Sequence, residues 1–269
     1  MTQRNETILG AVREAAKIVL SAPRGCPADK IHEKDGTFNY VTEYDVAVQR
    51  YLETELIKIV PDARFLAEEE DGDLRGPGEG YTFIIDPIDG TSNFIHGFGV
   101  SAISVALFRD GEPEFGAVCL PFSGETFYAE AGGGAYLDGR QIRVSDLPME
   151  RSLTLFGTTP YMRDTMCDAV LELMRGLFVS SVDVRRCGAA AADLCFVACG
   201  RASAFCEMLL SPWDIAAGAL IVSEAGGIVS DFCGGGLRYD SKCSIIAANE
   251  QSYGKALAVC RALSDKYGV

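Results

Sequence analysis

The chain has 269 residues, 48% apolar and 23% charged, which suits a soluble globular protein built as one large domain or two smaller ones. A net charge of −14 with no long basic stretch argues against nucleic acid as a partner, and no apolar run reaches the roughly 18 residues that cross a bilayer. The first six residues carry no apolar leader, and the ten cysteines include no Cys-x-x-Cys and stand beside only two histidines, so zinc and disulfide frameworks are disfavoured; free thiols in a reducing cytoplasm are expected.

In chain order, residues 4–22 read as a helix with Ile8, Val12, Ala15, Ala16 and Val19 on one face, ended by Pro23, Gly25 and Pro27. Residues 28–41 read as a loop or loose hairpin with Asp35-Gly36 as its turn and Lys34 beside it. A second helix starts at Thr42, a side-chain N-cap, with Glu43 and Asp45 in its first turn, where the helix dipole favours anions. Its stripe is Val48, Leu52, Glu55 and Ile59, and Pro61 stops it. Arg64 to Ala67 reads as a short strand running into Glu68, Glu69, Glu70 and Asp71. Charge runs are usually solvated faces, but this one ends a strand some twenty residues before Asp86, so its first members are candidate metal ligands.

Tyr81-Thr82-Phe83-Ile84-Ile85 reads as a buried strand that delivers Asp86-Pro87-Ile88-Asp89-Gly90-Thr91-Ser92-Asn93-Phe94. Pro87 holds Asp86 extended and Gly90 permits a turn, so Asp86 and Asp89 can point the same way with the Ile88 carbonyl between them. Three hard oxygens suit Mg²⁺, and the amides of Gly90, Thr91 and Ser92 can face an anion. Taken alone, the stretch is equally a surface turn, since Asp, Pro and Gly are the common turn residues. An antiparallel meander follows: Ser101 to Phe108, Phe115 to Leu120, Glu125 to Glu130, Ala135 to Leu137 and Gln141 to Val144.

From residue 146 onward, strands and helices alternate. Leu153 to Phe156, Phe178 to Val182, Ala202 to Cys206, Ile228 to Phe232 and Ser244 to Ala248 read as strands. Asp164 to Leu177, Ala189 to Cys199, Trp213 to Ala225 and residues 250–266 read as helices. The chain thus divides into an N-terminal α+β half, 1–145, and a C-terminal α/β half, 146–269, expected to pack as a single domain, 1–269. Asp214 opens a helix beside Ala216, Ala217 and Gly218, small residues that imply close packing. It reads as a helix cap or as the third carboxylate of a two-metal site, in which cations about 3.5–4 Å apart clamp both oxygens of a phosphoryl displacement.

Phe65-Leu66-Ala67-Glu68-Glu69, the Asp86 to Phe94 stretch, Trp213-Asp214-Ile215-Ala216-Ala217-Gly218 and Glu224-Ala225-Gly226-Gly227 together resemble the motifs of the inositol monophosphatase family. The resemblance extends over the whole chain: Lys34 stands eleven residues before Asp45, Glu207 seven before Asp214, Gly188-Ala189-Ala190 matches the family's substrate-side loop, and Ala129 to Ser145 its hairpin. It implies an α-β-α-β-α sandwich, of the α+β and α/β classes, and a lithium-sensitive, Mg²⁺-dependent phosphomonoesterase, usually a homodimer, acting on a small phosphorylated polyol. By the same resemblance, Glu68, Asp86 and the Ile88 carbonyl would hold one Mg²⁺, and Asp86, Asp89 and Asp214 a second. Glu68 would serve a third, weaker site, giving two to three cations in all. Thr91, with Asp45 and Glu68, would orient the attacking water. Gly90, Thr91 and Ser92 would hold phosphate, and Asp89, Gly188, Ala190, Glu207 and Asp214 would meet the polyol. Lys34, Glu69 and Arg186 are outer candidates.

Two departures stand out. Ala67 replaces a common glycine, at a cost of about 1 kcal/mol if that position needs φ > 0. Phe83 replaces a frequent tryptophan, a change expected to be neutral. Glu207, following the Ala202 to Cys206 strand, is expected at the rim. Fructose-1,6-bisphosphatase and 3′(2′),5′-bisphosphate nucleotidase remain alternatives. Arg185-Arg186 could take a second phosphate or be plain surface charge, and Thr91-Ser92-Asn93-Phe94 resembles the monophosphatase branch. A non-catalytic metal-binding regulator is the alternative of another class; a lost ligand would be its sign, and every carboxylate is present.

Overall fold

A computed structural model describes residues 1–23, 25–34, 39–69 and 76–268. The Asp35-Gly36 turn, Glu70 and Asp71 lie outside the described residues. Helix α1 (Gln3–Leu20) is capped by the Thr2 hydroxyl, and a short antiparallel pair follows, β1 (Ile31–Glu33) with β2 (Tyr40–Thr42). Helix α2 (Glu43–Ile59) opens with a capping box between Thr42 and Asp45. Its buried face is Asp45, Val48, Gln49, Leu52 and Leu56, so Glu55 lies off the stripe.

Then come β3 (Arg64–Ala67), β4 (Tyr81–Asp89), the short helix α3 (Thr91–Ile95), β5 (Ala102–Arg109), β6 (Glu112–Leu120), β7 (Glu125–Glu130), β8 (Gly134–Leu137) and β9 (Arg140–Ile142). The seven strands β3 to β9 form one sheet in chain order, antiparallel except for the β3–β4 pair. The remainder is β10 (Leu153–Phe156), α4 (Arg163–Phe178), β11 (Asp183–Arg185), α5 (Ala190–Ala198), β12 (Ala204–Leu210), α6 (Pro212–Glu224), β13 (Ile228–Ser230), β14 (Cys243–Ala248) and α7 (Glu250–Tyr267). Its five strands form a mixed sheet in the order β11-β10-β12-β14-β13.

Strand alternation divides the core. Phe83 and Ile85 of β4 face α1 and α2, packing with Ile8, Val12 and Leu52. Ile84 faces the other way, into a layer made by α5 and α6 between the two sheets, where Leu194, Ile215 and Ile221 meet Phe108 and Phe127 on one side and Leu155, Phe205 and Ile245 on the other. The second sheet's far face packs Phe156, Cys206 and Ile246 against Leu173, Leu177, Cys260 and Leu263 of α4 and α7. The result is the five-layer α-β-α-β-α sandwich. The small residues of α6 set its spacing: a Cβ at Gly116 would lie 2.9 Å from the Ala217 carbonyl oxygen, and one at Gly218 would run into Leu194. All ten cysteines are free thiols, and no helix among the described residues is long and apolar enough to cross a membrane.

Three expectations change. Phe178 to Val182 is no strand: Phe178 ends α4, the hydroxyls of Ser180 and Ser181 turn back onto the Gly176 and Leu177 carbonyls, and Val179 is 72% exposed. Apolar composition there does not mean burial, and pairing starts at Asp183. Strand β12 runs on to Leu210, so Glu207 lies inside a strand. Ala67 is an ordinary strand residue outside the positive-φ set, so glycine's freedom is not needed and no strain arises. Phe83 is fully buried and stacks on Phe65 at 5.6 Å between ring centroids.

Candidate active site

Strand β4 outruns its neighbour β3, whose pairing stops at Ala67 opposite Ile85, so Pro87 leaves no rung of that ladder unfilled. Against β5 the register shifts between Asp86 and Asp89, a bulge that re-aims both carboxylates. Gly90 then turns the chain into α3 at φ 83°, where a Cβ would crowd the Gly188 and Val100 carbonyls. Helix α6 starts alongside, and Asp214 Oδ2 accepts the Ser211 amide at 2.7 Å.

Asp86, Asp89 and Asp214 each present a carboxylate oxygen, all within 4.8 Å of one another. Asp89 is also tied to the first turn of α5, accepting the amides of Ala190 at 3.2 Å and Ala191 at 2.7 Å. Asp86 is buried, and its Oδ1 has no hydrogen-bond partner among the described residues. Burial, then the charges of Glu68, Asp89 and Asp214, push the Asp86 carboxyl well above the usual range. Burial followed by Asp89 and Glu68 does the same to Asp214. Burial raises Asp89 to about 7 despite the α5 amides. Buried carboxylates so close together repel unless protonated or neutralised by a cation. An all-oxygen donor set with an orphaned oxygen fits a hard divalent ion such as Mg²⁺.

Beside this cluster, Thr91 Oγ1 lies 3.2 Å from Asp45 Oδ1 and 3.0 Å from the Ile88 carbonyl. Its single proton serves one acceptor at a time, leaving its oxygen able to accept from a water. Asp45 is fully buried and its Oδ2 accepts the Thr42 amide at 2.8 Å, so it both caps α2 and holds Thr91. Burial raises its pKa to about 6, against the lowering effect of the Thr42 hydroxyl. Lys34 Nζ bridges Glu68 Oε1 at 3.0 Å and Glu69 Oε1 at 2.7 Å. Glu68 lines the cavity; Glu69 does not, its amide being held by Gln49 and its carboxyl raised to about 7 by burial and then by Glu68.

A cavity of about 150 Å³ opens over these groups. Glu68, Asp89, Gly90, Thr91, Ser92 and Asp214 line it together with Gly157, Arg186, Gly188, Ala190 and Glu207, and the two sets meet where the Ala190 amide reaches Asp89 and the Gly188 carbonyl lies against Gly90. Glu207 is 7% exposed, so the rim position expected for it is corrected to the buried wall. Burial, then Asp214, Asp193 and Asp89, push its carboxyl well above the usual range. The two arginines part company: Arg186 lines the cavity, whereas Arg185 is exposed and pairs with Asp183. The β12 bulge puts Leu209 at φ 58°, a strain of roughly 1–2 kcal/mol close to the site.

Three residues here carried no assigned role in the sequence. Asn93 Nδ2 donates to the carbonyls of Val100 and Cys187, each at 2.8 Å, tying the α3 turn to the α5 loop. Asp193, 1% exposed in α5 and raised to about 8 by burial, has an oxygen without a partner among the described residues. Gly157 lies just past β10. Asn93 was visible as part of the Asp86 to Phe94 stretch; the other two had no signal.

A model of the inositol monophosphatase family matches residues 1–265. The chain is 41% identical over 256 residues to a Nus factor SuhB of Pseudomonas aeruginosa, covering 93% of this chain and 92% of that protein. It is 39% identical over 215 residues to a fructose-1,6-bisphosphatase/inositol-1-monophosphatase of Thermotoga maritima, covering 77% of each. The solved structure of an IMPase from Thermotoga maritima superposes with a TM-score of 0.85 at 32% identity, covering 99% of this chain and 100% of that one.

Proposed function

Because the chain belongs to the inositol monophosphatase family and is a phosphomonoesterase, we propose that it hydrolyses the phosphate monoester of a small polyol, inositol monophosphate first, with Mg²⁺ as cofactor. The family is metal-dependent and acts on small phosphorylated substrates. The observation that carries the reading is the orphaned Asp86 oxygen in a cluster of two buried carboxylates and the half-buried Asp214, beside the Thr91–Asp45 pair.

Asp86, Asp89 and Asp214, with Glu68 and the Ile88 carbonyl, would hold two to three cations. When bound, these neutralise charge and make water a better nucleophile. Thr91, backed by Asp45, orients the attacking water, and Glu68 takes up its proton. The amides of Gly90 and Thr91, at the start of α3 where helical partners are missing, hold phosphate oxygens, and Ser92 adds a hydroxyl beside them. Glu207 accepts hydrogen bonds from neighbouring hydroxyls of the departing alcohol, with Gly188 and Ala190 closing the wall around the ring. Asp89 and Asp214 serve substrate as well as cation. Lys34 keeps Glu68 in place. Lithium inhibition, a homodimer and a cytoplasmic location belong to the same reading.

Arg186 in the cavity wall favours a second reading, in which a sugar bisphosphate places its other phosphate there. A panel of inositol 1-phosphate, fructose 1,6-bisphosphate and 3′-phosphoadenosine 5′-phosphate, assayed for phosphate release with Mg²⁺, separates the two. The highest kcat/KM is expected on inositol 1-phosphate; preference for the sugar bisphosphate establishes the second reading, and turnover of none contradicts both.

A further inference from the structure

Glu207 rests directly on Gly157. A Cβ at position 157 would overlap the Glu207 carboxylate, clashing with both oxygens and the carbon between them. The contact follows from strand pairing. β10 runs parallel to β12, with Phe156 opposite Cys206, and the Gly157 amide extends the ladder by donating to the Cys206 carbonyl at 3.1 Å. That puts the Cα of Gly157 beside Glu207, the next residue on β12.

Gly157 is not one of the positive-φ glycines, so its backbone suits any residue. What glycine supplies here is room. Both residues line the cavity, and no described residue donates a hydrogen bond to the Glu207 carboxylate, although it is 7% exposed.

We propose that Gly157 is the positioning residue for substrate choice: by having no side chain, it seats the Glu207 carboxylate in the cavity wall, where it meets the hydroxyls of the leaving alcohol. A side chain at 157 drives the carboxylate forward into the space the ring needs or turns it aside. Reading of hydroxyls by Glu207 belongs to the function proposed above; the seat does not depend on it.

The test is a double-mutant cycle of Gly157→Ala, Glu207→Ala and the pair, read in two ways. The first is the ratio of kcat/KM on inositol 1-phosphate to that on p-nitrophenyl phosphate, which has no vicinal hydroxyls. Gly157→Ala is expected to lower this ratio by about tenfold to a hundredfold, the worth of a charged hydrogen bond, and to add nothing once Glu207 is alanine. The second is the melting temperature without substrate: Gly157→Ala lowers it in the parent and leaves it unchanged in the Glu207→Ala background. An unchanged ratio, or melting losses that simply add, overturns the proposal. If inositol 1-phosphate is not hydrolysed, the polyol reading falls by itself, and the melting cycle alone decides whether Gly157 seats Glu207.

Discussion

On the side of the cavity proposed to take phosphate, Asp89 accepts amides from α5, Asp214 the amide of Ser211, and Asp45 the amide of Thr42. On the side proposed to take the alcohol, Glu207 takes no amide; it is placed by the empty space above Gly157, and Arg186 reaches in past Gly188. The first wall is fixed by where helices begin and by a strand bulge, so moving a carboxylate there means moving an element. On the second, the start of α5 and the β12 bulge set the backbone, and one missing side chain at Gly157 seats the Glu207 carboxylate itself. On the proposed function, chemistry is built into the scaffold, and substrate choice into the contact between Gly157 and Glu207.

The most severe way to break this contrast is Asp86→Asn, which removes charge from the centre of the cluster. A loss in kcat of at least about a thousandfold is expected with the fold intact by circular dichroism; activity within tenfold of the parent removes the cation cluster from the chemistry. Thr91→Ala comes next, with kcat about a hundredfold lower and KM little changed, because Thr91 is assigned to the water and not to ground-state binding. An effect confined to KM reassigns it to phosphate binding. Glu207→Ala sharpens the other wall: the ratio of kcat/KM on inositol 1-phosphate to that on p-nitrophenyl phosphate should fall by about tenfold to a hundredfold. An unchanged ratio leaves the hydroxyls to be read elsewhere.

A smaller effect is expected in stability against pH. Asp89 and Asp193 have folded-state values of about 7 and 8, raised by burial. A raised acid contributes stability that is fully present below its unfolded value, about 4, and lost as pH rises through the folded one. Chelated protein should therefore lose several degrees of melting temperature between about pH 4 and 8 through these groups, and Mg²⁺ should restore much of it at pH 8 by favouring the ionised cluster. A flat profile in chelator, or no response to Mg²⁺, means the acids are not held as described.

The phosphate wall was the legible one. Asp86 to Phe94 alone reads equally as a surface turn and Asp214 as a helix cap, and the two became legible through their joint match to the family's motifs, while Thr42 with Asp45 spells out a helix start. The other wall depends on register. Glu207 looked like a rim residue because β12 continues through a bulge, with Leu209 in the left-handed region, that no local pattern announces. Gly157 is an ordinary glycine until β10 and β12 are set side by side. Phe178, Val179 and Val182 misled in the opposite sense, being apolar yet exposed.

The most direct measurement of the central claim is phosphate release from inositol 1-phosphate by protein stripped with EDTA and then titrated with Mg²⁺. No turnover in chelator and full recovery with Mg²⁺ are expected, with Asp86→Asn failing to recover over the same range. Undiminished turnover in EDTA would contradict a hydrolysis that rests on cations held by Asp86, Asp89 and Asp214.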